Sequence, residues 1–319
     1  MVTLFLQRVF DSLANGSAYA ALAVAISMVF RATGVLNLAQ GQLAMLSAYI
    51  AVVFVSGPSP ATAFSGWLEP FATPWPVGAG IAAAVVVSVV LGAALERFVI
   101  RPVGGGADNP DGNPVATVGA TLGVYLLIDA FVRKHWGGRT RILGSPFPDG
   151  VDDRFDIAGA RLWFDTVGTT LTLLAAVAAL AVVQRRTRLG LAFRALTSDR
   201  RSAALSGVRV ERVVMVGWAV AAGLGALAGG LTAGYTHVRP DMMGRLLIFG
   251  LAAATLGGLR SPALALAGGY LFALAETMLG GYVGFIDSQV TLVWALGVLI
   301  VLLSVRPAGL ARPTGRAAT

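Results

Sequence analysis

Nine apolar stretches dominate the sequence, and each is predicted to cross a lipid bilayer as a helix. They cover residues 11–30, 36–55, 77–98, 115–132, 166–184, 213–235, 245–259, 262–283 and 289–305. A membrane-spanning helix needs about 20 apolar residues, because backbone N–H and C=O groups inside lipid have to pair within the segment. Only 13% of the residues are charged, against about 25% in soluble domains. We therefore predict an all-α polytopic membrane helix bundle of about nine transmembrane helices, with eight to ten compatible, in one domain over 1–319.

A basic island over 184–212 determines the predicted orientation. It carries eight arginines against Asp199 and Glu211, in a chain whose net charge is +8. Basic loops between membrane helices stay on the cytoplasmic side. This rule places the loop over 186–212 and the C-terminus inside, and the loop over 133–165 outside. An odd number of helices then puts the N-terminus outside.

The same island has the pattern of two short helices. Gly190 opens a run that ends near Leu196, and Asp199 is a suitable N-cap for a second helix over 200–206. Gly207 is expected to close that helix at the C′ position, where the left-handed backbone conformation favours glycine. Short capped helices between membrane spans are typical of a docking element for a cytoplasmic partner.

Docking would use both charge and apolar contact. Arg194, Arg200 and Arg201 are expected to pair with carboxylates of the partner, and Phe193, Leu196 and Leu205 to fill a groove on it. The alternative is a solvated basic loop that only fixes the topology. The capping residues favour ordered helices and hence docking.

Several classes of function are disfavoured by what the sequence lacks. There are no cysteines and only two histidines, far apart, so we expect no metal site and no cofactor. No GxxxxGK[ST] motif occurs, so the chain does not bind ATP through a P-loop. Its basic residues lie at span ends rather than on a soluble face, which argues against nucleic-acid binding. We expect no enzymatic activity; the DDxxD-like residues 152–156, a prenyltransferase pattern, lie in a charged outer loop without a second acidic motif.

A few polar residues interrupt the apolar spans. Asn37, Gln40 and Gln42 flank Gly41 at the start of the second span. Polar groups in lipid are costly unless they are paired or face water. Asn37, Gln40 and Gln42 therefore either line a translocation pathway through a broken helix or belong to an ordinary loop between the first two spans. Glu276 lies deep in the eighth span and either orients a substrate ammonium group or makes a helix-packing hydrogen bond or an ion pair with an arginine.

Three local patterns predict contacts within the bundle. Asp129 and Arg133 have the i,i+4 spacing of a helical ion pair. Small residues at Gly225…Gly229 and Gly230…Gly234 suit close helix packing. In the outer loop, two short β-patterned runs flank Ala158-Gly159, as in a small hairpin.

Six groups of residues, in order along the chain, resemble the permease subunits of branched-chain amino-acid ABC importers. They are Asn15-Gly16 to Leu22 with Gly34 to Gly41; Leu95-Glu96-Arg97 with Arg101-Pro102; Arg188, Gly190, Arg194, Ala195, Asp199, Ala203 and Gly207; Leu256-Gly257-Gly258; Gly268-Gly269 with Ala275-Glu276; and Arg306 to Leu310. Two places depart from the family pattern. Leu38-Ala39-Gln40 stands where the family usually has Phe-Ala-His, and Arg260 and Pro262 follow the paired glycines. Both departures bear on the substrate rather than on the transporter class.

The resemblance implies a multi-pass permease subunit in the cytoplasmic membrane of a prokaryote. Its partners would be a second, identical or different permease subunit, cytoplasmic ABC ATPases and an extracytoplasmic substrate-binding protein, which is expected to dock on 56–76 and 133–165. The substrate would be a branched-chain or other small amino acid, with urea or amides as family alternatives. An ion-coupled secondary transporter using Glu276 and Asp129 is the alternative from another class.

The resemblance and the residue chemistry described above together give the predicted roles of individual residues. The ATPase-coupling set is Arg188, Gly190, Arg194, Ala195, Asp199, Arg200, Ala203 and Gly207. The predicted translocation-pathway set is Asn37, Gln40, Gly41, Gln42 and Glu276. Glu96, Arg97 and Arg101 are expected to support the inner end of the third span.

Overall fold

The computed structural model describes residues 2–56, 75–104, 114–150, 152–259 and 261–282, together with Val293, Gly297, Ile300, Val301 and Ser304. Eleven α-helices and one two-stranded sheet lie in this part of the chain. The first five helices are α1 (Val2–Thr33), α2 (Gln40–Ser56), α3 (Val77–Leu95), α4 (Arg101–Gly104) and α5 (Pro114–Trp136), with a π-helical turn, Glu96–Ile100, joining α3 to α4. Strands β1 (Arg154–Ile157) and β2 (Ala160–Trp163) precede α6 (Phe164–Arg186), α7 (Arg188–Ser198), α8 (Arg200–Leu205), α9 (Val210–Thr236), α10 (Met242–Gly257) and α11 (Pro262–Tyr282).

The membrane helices agree with most of the predicted spans. Among the described residues, six helical stretches are long and apolar enough to cross a membrane: Thr3–Thr33, Val77–Gly104, Val115–Trp136, Phe164–Arg186, Val210–Thr236 and Pro262–Tyr282. Helices α2 and α10 are apolar but shorter. The predicted ninth span, 289–305, and the outer segment 56–76 lie almost wholly outside the described residues. An all-α membrane bundle is thus confirmed, with six candidate spans and two shorter apolar helices among the described residues, and the number nine stays a prediction.

Helices α1 and α9 form the centre of the bundle. In each, 78% of the most apolar window is buried, against 17% for α6 and 28% for α3, α5 and α11. Helix α1 packs against α9, α10 and α11, while α9 packs against α2 and α3. Helices with a small buried share present most of their surface outward, where lipid covers apolar side chains.

Glycines of α9 allow its two neighbours to approach at backbone distance. A Cβ atom at Gly229 would overlap the carbonyl oxygen of Ala44 in α2, and one at Gly225 would overlap the Gln40 amide nitrogen. On the α3 side, a Cβ at Gly223 would lie 2.7 Å from Val89 and one at Gly230 would lie 3.0 Å from Ile81. The prediction that small residues here serve close packing is confirmed, with two different helices on the two sides.

The predicted hairpin is present. Strands β1 and β2 pair in antiparallel register, with Arg154 opposite Trp163 and Ile157 opposite Ala160. Ala158 (φ 52°) and Gly159 (φ 81°) form the two-residue turn, and two positive φ angles are the requirement of a type I′ turn. The predicted Asp129–Arg133 ion pair is also present, at 2.7 Å.

We predict that Gly229→Leu destabilises the bundle. The side chain would meet the α2 backbone, which cannot move aside as a flexible side chain can, so the cost is about 3 kcal/mol or more. The loss of stability is measured by heating the protein in detergent and monitoring unfolding by size-exclusion chromatography. Gly119→Leu is the matched control, because nothing lies within 4 Å of a Cβ at Gly119. Equal stability of the two variants would contradict the packing role of Gly229.

Candidate functional site: the α7–α8 loop and its supports

Helix α7 folds back on the end of α6 through a glycine contact. A Cβ atom at Gly190 would overlap the backbone of Gln184, so a larger residue would push α7 away from α6. The Thr187 hydroxyl caps α7 by accepting the Gly190 N–H at 3.2 Å. The Arg194 guanidinium donates to the Gln184 carbonyl from one turn further along α7. The α6–α7 elbow is therefore held by Gly190 and Arg194, two residues of the predicted coupling set.

Helix α8 is capped by Asp199, as predicted. The Asp199 carboxylate accepts the backbone N–H groups of Arg201 (2.8 Å) and Ser202 (3.1 Å) and the Ser202 hydroxyl (2.9 Å). Donation by the Ser202 N–H and hydroxyl lowers the pKa of Asp199 below its ordinary value. Since a depressed carboxyl pKa stabilises the fold above the unfolded pKa, about 3.9, the cap is present at neutral pH. It is lost only as the pH falls through the lower folded pKa.

The C-terminus of α8 is a Schellman motif. Gly207 has φ +82°. The Gly207 N–H donates to Ala204 O at 3.0 Å, and the Val208 N–H donates to Ala203 O at 3.1 Å. This pair of bonds is the pattern that ends helices at a left-handed glycine. The helix runs over 200–205, one residue shorter than predicted, and the role of Gly207 is confirmed.

The apolar contacts predicted for the partner are partly wrong. Phe193 and Leu196 are only 5% and 4% exposed, because both pack into the protein's own core. The Arg31 guanidinium covers the Phe193 ring, 5.4 Å from its centroid. Leu205, in contrast, is 86% exposed. Helix α7 thus uses its apolar face to attach to the bundle, and only Leu205 of the three remains available to a partner.

The remaining members of the coupling set differ in exposure. Arg188 is exposed, Ala195 and Arg200 are half-buried, and Ala203 is buried. Sequence reasoning missed two exposed apolar residues of α7: Leu189 and Leu191, which are 54% and 61% exposed. The sequence does not indicate that these leucines are exposed. Which apolar residues of α7 face outward depends on how α7 docks on the bundle.

A charged cluster ties the C-terminal end of α3, on the side predicted to be cytoplasmic, to the start of α9. Arg101 donates to the buried Glu96 carboxylate at 2.8 Å and to the Glu211 carboxylate at 2.8 Å. Arg97 is exposed. We call Glu96, Arg101 and Glu211 the inner clasp. Glu211 was missed by the sequence analysis; its signal is an acidic residue in the first turn of a helix, where the helix dipole favours it. The supporting role predicted for Glu96 and Arg101 rests on these ion pairs. No ion pair of Arg97 with a described residue supports the role predicted for it.

The polar residues near 37–42 form a buried network. Asn37 Oδ1 accepts the Ala39 N–H at 3.0 Å and Asn37 Nδ2 donates to Gln40 Oε1 at 3.1 Å. Gln40 Nε2 donates to the Ala221 carbonyl of α9 at 2.8 Å. The network therefore provides hydrogen-bond partners for polar groups in the segment between α1 and α2, and it attaches this segment to α9.

The other two members of this predicted set face different neighbours. Gly41 lies against α10, where an added Cβ would be 3.0 Å from Leu247. The Oε1 atom of Gln42 is buried and accepts no hydrogen bond from the described residues. A buried acceptor without a donor is a place where a polar solute or water gains a hydrogen bond. The pathway role of these residues stays a prediction.

Glu276 has two partners within the bundle. It accepts the Tyr19 hydroxyl at 2.9 Å and a guanidinium N–H of Arg245 at 2.9 Å. Tyr19, Phe249 and Phe272 pack their rings around this site, with centroids 5.2–6.3 Å apart. The ion pair with an arginine near a span end was one of the predicted alternatives. The sequence analysis missed Arg245 as the partner, although it is the one basic residue in the 245–259 stretch.

Two of the DDxxD-like aspartates in the 133–165 loop have local partners. Asp153 accepts the backbone N–H of Gly150 at 3.0 Å, and Asp156 pairs with Arg154 at 3.7 Å beside the hairpin. Within the described ranges there is no group of three or more His, Cys, Asp or Glu residues able to hold a metal ion.

Comparison with known proteins gives one consistent family. The family described as branched-chain amino acid transport system, permease component, matches residues 8–305. The high-affinity branched-chain amino acid transport system permease protein LivH of Escherichia coli K12 is 28% identical over 315 residues, covering 97% of this chain and 96% of that protein. BraD of Pseudomonas aeruginosa, a permease protein of the same type of system, is 26% identical, with 97% and 96% covered. A probable LivH permease of Methanocaldococcus jannaschii is 23% identical, with 91% and 87% covered.

We predict that Arg101→Gln destabilises the inner end of the bundle, because it leaves the buried Glu96 without a counter-charge. Removing one partner of a buried pair costs about 3–5 kcal/mol. Thermal unfolding of the purified protein measures the change, with Arg97→Gln as the control for losing an arginine at an exposed position in the same turn. Adding Glu96→Gln to Arg101→Gln should restore part of the stability. An Arg101→Gln protein as stable as Arg97→Gln would contradict the inner clasp.

Proposed function

The chain belongs to the family of branched-chain amino acid transport permease components, and we propose that it is the permease subunit of an ABC importer for branched-chain amino acids. The match to the family over residues 8–305 carries this assignment. The relatives named above are permease proteins of branched-chain amino acid transport systems. A permease of this kind moves its substrate across the membrane while separate ATPase subunits supply the energy.

The α7–α8 loop is the place where force from the ATPases would enter. It presents Leu205 and the exposed Arg201 outward, while Phe193 and Leu196 fix it to the bundle. Both helices are capped, so a push on α8 is transmitted rather than absorbed by unwinding. Helix α9 begins two residues after the Schellman motif and is held to α3 by the inner clasp. Movement of α8 therefore reaches the central helix of the bundle directly.

The partners follow from this role. A second permease subunit, identical or different, completes the pathway, and an extracytoplasmic binding protein delivers substrate to the outer side. The hairpin within 133–165, which projects Phe155 and Ile157 (50% and 46% exposed), is the surface we assign to the binding protein. With 186–212 inside, the C-terminus lies in the cytoplasm. The protein resides in the cytoplasmic membrane of a prokaryote.

The substrate pathway is assigned to the predicted polar set. Gln42 offers a buried acceptor, and Asn37 and Gln40 surround the α1–α2 break beside Gly41. Glu276 would enter the pathway only by exchanging Arg245 for a substrate ammonium group. A carboxylate already paired with a guanidinium can make that exchange because the new ion pair replaces the old one.

An ion-coupled secondary transporter is the alternative from another class. It would need intramembrane carboxylates free to bind a proton or sodium ion. Glu276 is paired with Arg245, and Asp129 with Arg133 at 2.7 Å, so neither candidate carboxylate is free in this conformation. Urea or an amide as the substrate of the same ABC system is the other alternative, and it differs only in the transported solute.

We predict that proteoliposomes containing this chain, its second permease and its ATPases accumulate leucine when ATP and the binding protein are supplied. Omission of the ATPases abolishes accumulation, because the energy is expected to come from their ATP hydrolysis and this sequence contains no P-loop motif. Competition by isoleucine and valine, but not urea, is the substrate control. Accumulation driven by an ion gradient without the ATPases would overturn the ABC assignment.

We further predict that Asp199→Ala loses most ATP-driven uptake, because an uncapped six-residue helix unwinds instead of transmitting force. Asp199→Asn is the matched control and retains uptake, since asparagine caps helix N-termini as well as aspartate does. Membrane insertion of both variants should equal that of the unaltered protein. Wild-type uptake by Asp199→Ala would show that an ordered α8 is not required.

A further inference from the structure

A cavity between α6 and α11 is not part of the site described above. Both helices pack against α1 but make few contacts with each other. The gap encloses a volume of about 400 Å³. Its apolar lining comes from all three helices and includes Val24, Leu174, Val177, Ala178, Pro262 and Leu266. We call this cavity the α6–α11 groove.

One end of the α6–α11 groove is polar and basic. Gln184 and Arg185, in the last turn of α6, and Ser261, just before α11, line it. The Nε2 atom of Gln184 is buried and donates to no acceptor in the described structure. An amide donor beside a guanidinium attracts an anionic oxygen ligand, and the described residues of the lining include no carboxylate to supply one.

The groove has the depth of one membrane leaflet. From Leu174 to Gln184 the α6 backbone rises about 15 Å, which is half the thickness of a hydrocarbon core of about 30 Å. Helix α6 is also the least buried of the membrane-spanning helices, at 17%, so the groove borders on surface that faces lipid. A ligand for this shape needs an apolar chain one leaflet long and an anionic group at its end.

We propose that the α6–α11 groove binds one anionic phospholipid, with an acyl chain along Leu174, Val177 and Ala178 and the phosphate on Gln184 and Arg185. Basic pockets between membrane helices on the cytoplasmic side bind acidic lipid head groups. The bound phosphate lies where Arg194 attaches α7 to the Gln184 carbonyl. The lipid therefore stabilises the α6–α7 elbow that carries the ATPase-coupling helices. This inference goes beyond the transport function and does not depend on the identity of the substrate.

The test is native mass spectrometry of the assembled transporter released from nanodiscs of equimolar phosphatidylglycerol and phosphatidylcholine. The expected result is one retained phosphatidylglycerol for each copy of this chain. Arg185→Gln should lower this retention about fivefold, the effect of one basic residue near an anionic lipid. Arg186→Gln is the matched control: it removes a neighbouring exposed charge outside the lining and should leave retention unchanged. Ala178→Trp fills the groove and should abolish retention.

Three results would overturn the proposal. They are equal retention of phosphatidylcholine, undiminished retention by Ala178→Trp, and equal losses for Arg185→Gln and Arg186→Gln, which would indicate diffuse surface charge. A fourth contradicting result can come from cysteine cross-linking, which is possible because the chain contains no native cysteine. Cross-linking of Ala178→Cys to the second permease would show that a protein partner covers the groove. ATP-driven uptake is measured in the same preparation. Loss of lipid binding with intact uptake would therefore contradict the lipid proposal and leave the proposed transport function unaffected.

Discussion

The contact between α9 and α2 is the constraint from which the rest of the bundle follows. Lipid offers no hydrogen-bond partners, so the break between α1 and α2 has to find them inside the protein. Gln40 reaches the Ala221 carbonyl at 2.8 Å, and Ser47 reaches the Ala226 carbonyl at 3.1 Å. Both bonds need α2 to lie at backbone distance from α9, which Gly225 and Gly229 permit. Helix α9 is thereby both the polar partner and the close-packed centre of the fold.

This arrangement also bears on the coupling role proposed for the α7–α8 loop. Helix α9 starts immediately after α8, and the inner clasp connects its first turn to the end of α3. In the proposed mechanism, force applied to α8 would reach the packed centre through α9. The burial of Phe193 and Leu196 agrees with the proposed coupling role, because a loop that transmits force has to be attached on one face and accessible on the other.

Features with local causes could be predicted from the sequence. Membrane helices follow from apolar length, the α8 cap from Asp199, its end from Gly207, and the hairpin from the turn at Ala158-Gly159. The packing role of Gly225 and Gly229 was also readable, although not the identity of the facing helices. Features that depend on distant segments could not be read. The partners Arg101–Glu211 and Glu276–Arg245 join residues 110 and 31 positions apart, and the inward direction of Phe193 depends on where α7 docks.

The proposed transport mechanism requires contact between α8 and the ATPase, and this contact can be measured through the accessibility of residue 205. In this cysteine-free chain, Leu205→Cys provides a single thiol at a position that is 86% exposed in the isolated subunit. The account predicts rapid reaction with a hydrophilic maleimide in the permease alone and strong protection once the ATPase subunits are bound. A cysteine at Arg139, in the loop assigned to the outer side, should react equally in both states. Unchanged labelling at position 205 in the assembled, ATP-hydrolysing transporter would contradict the account.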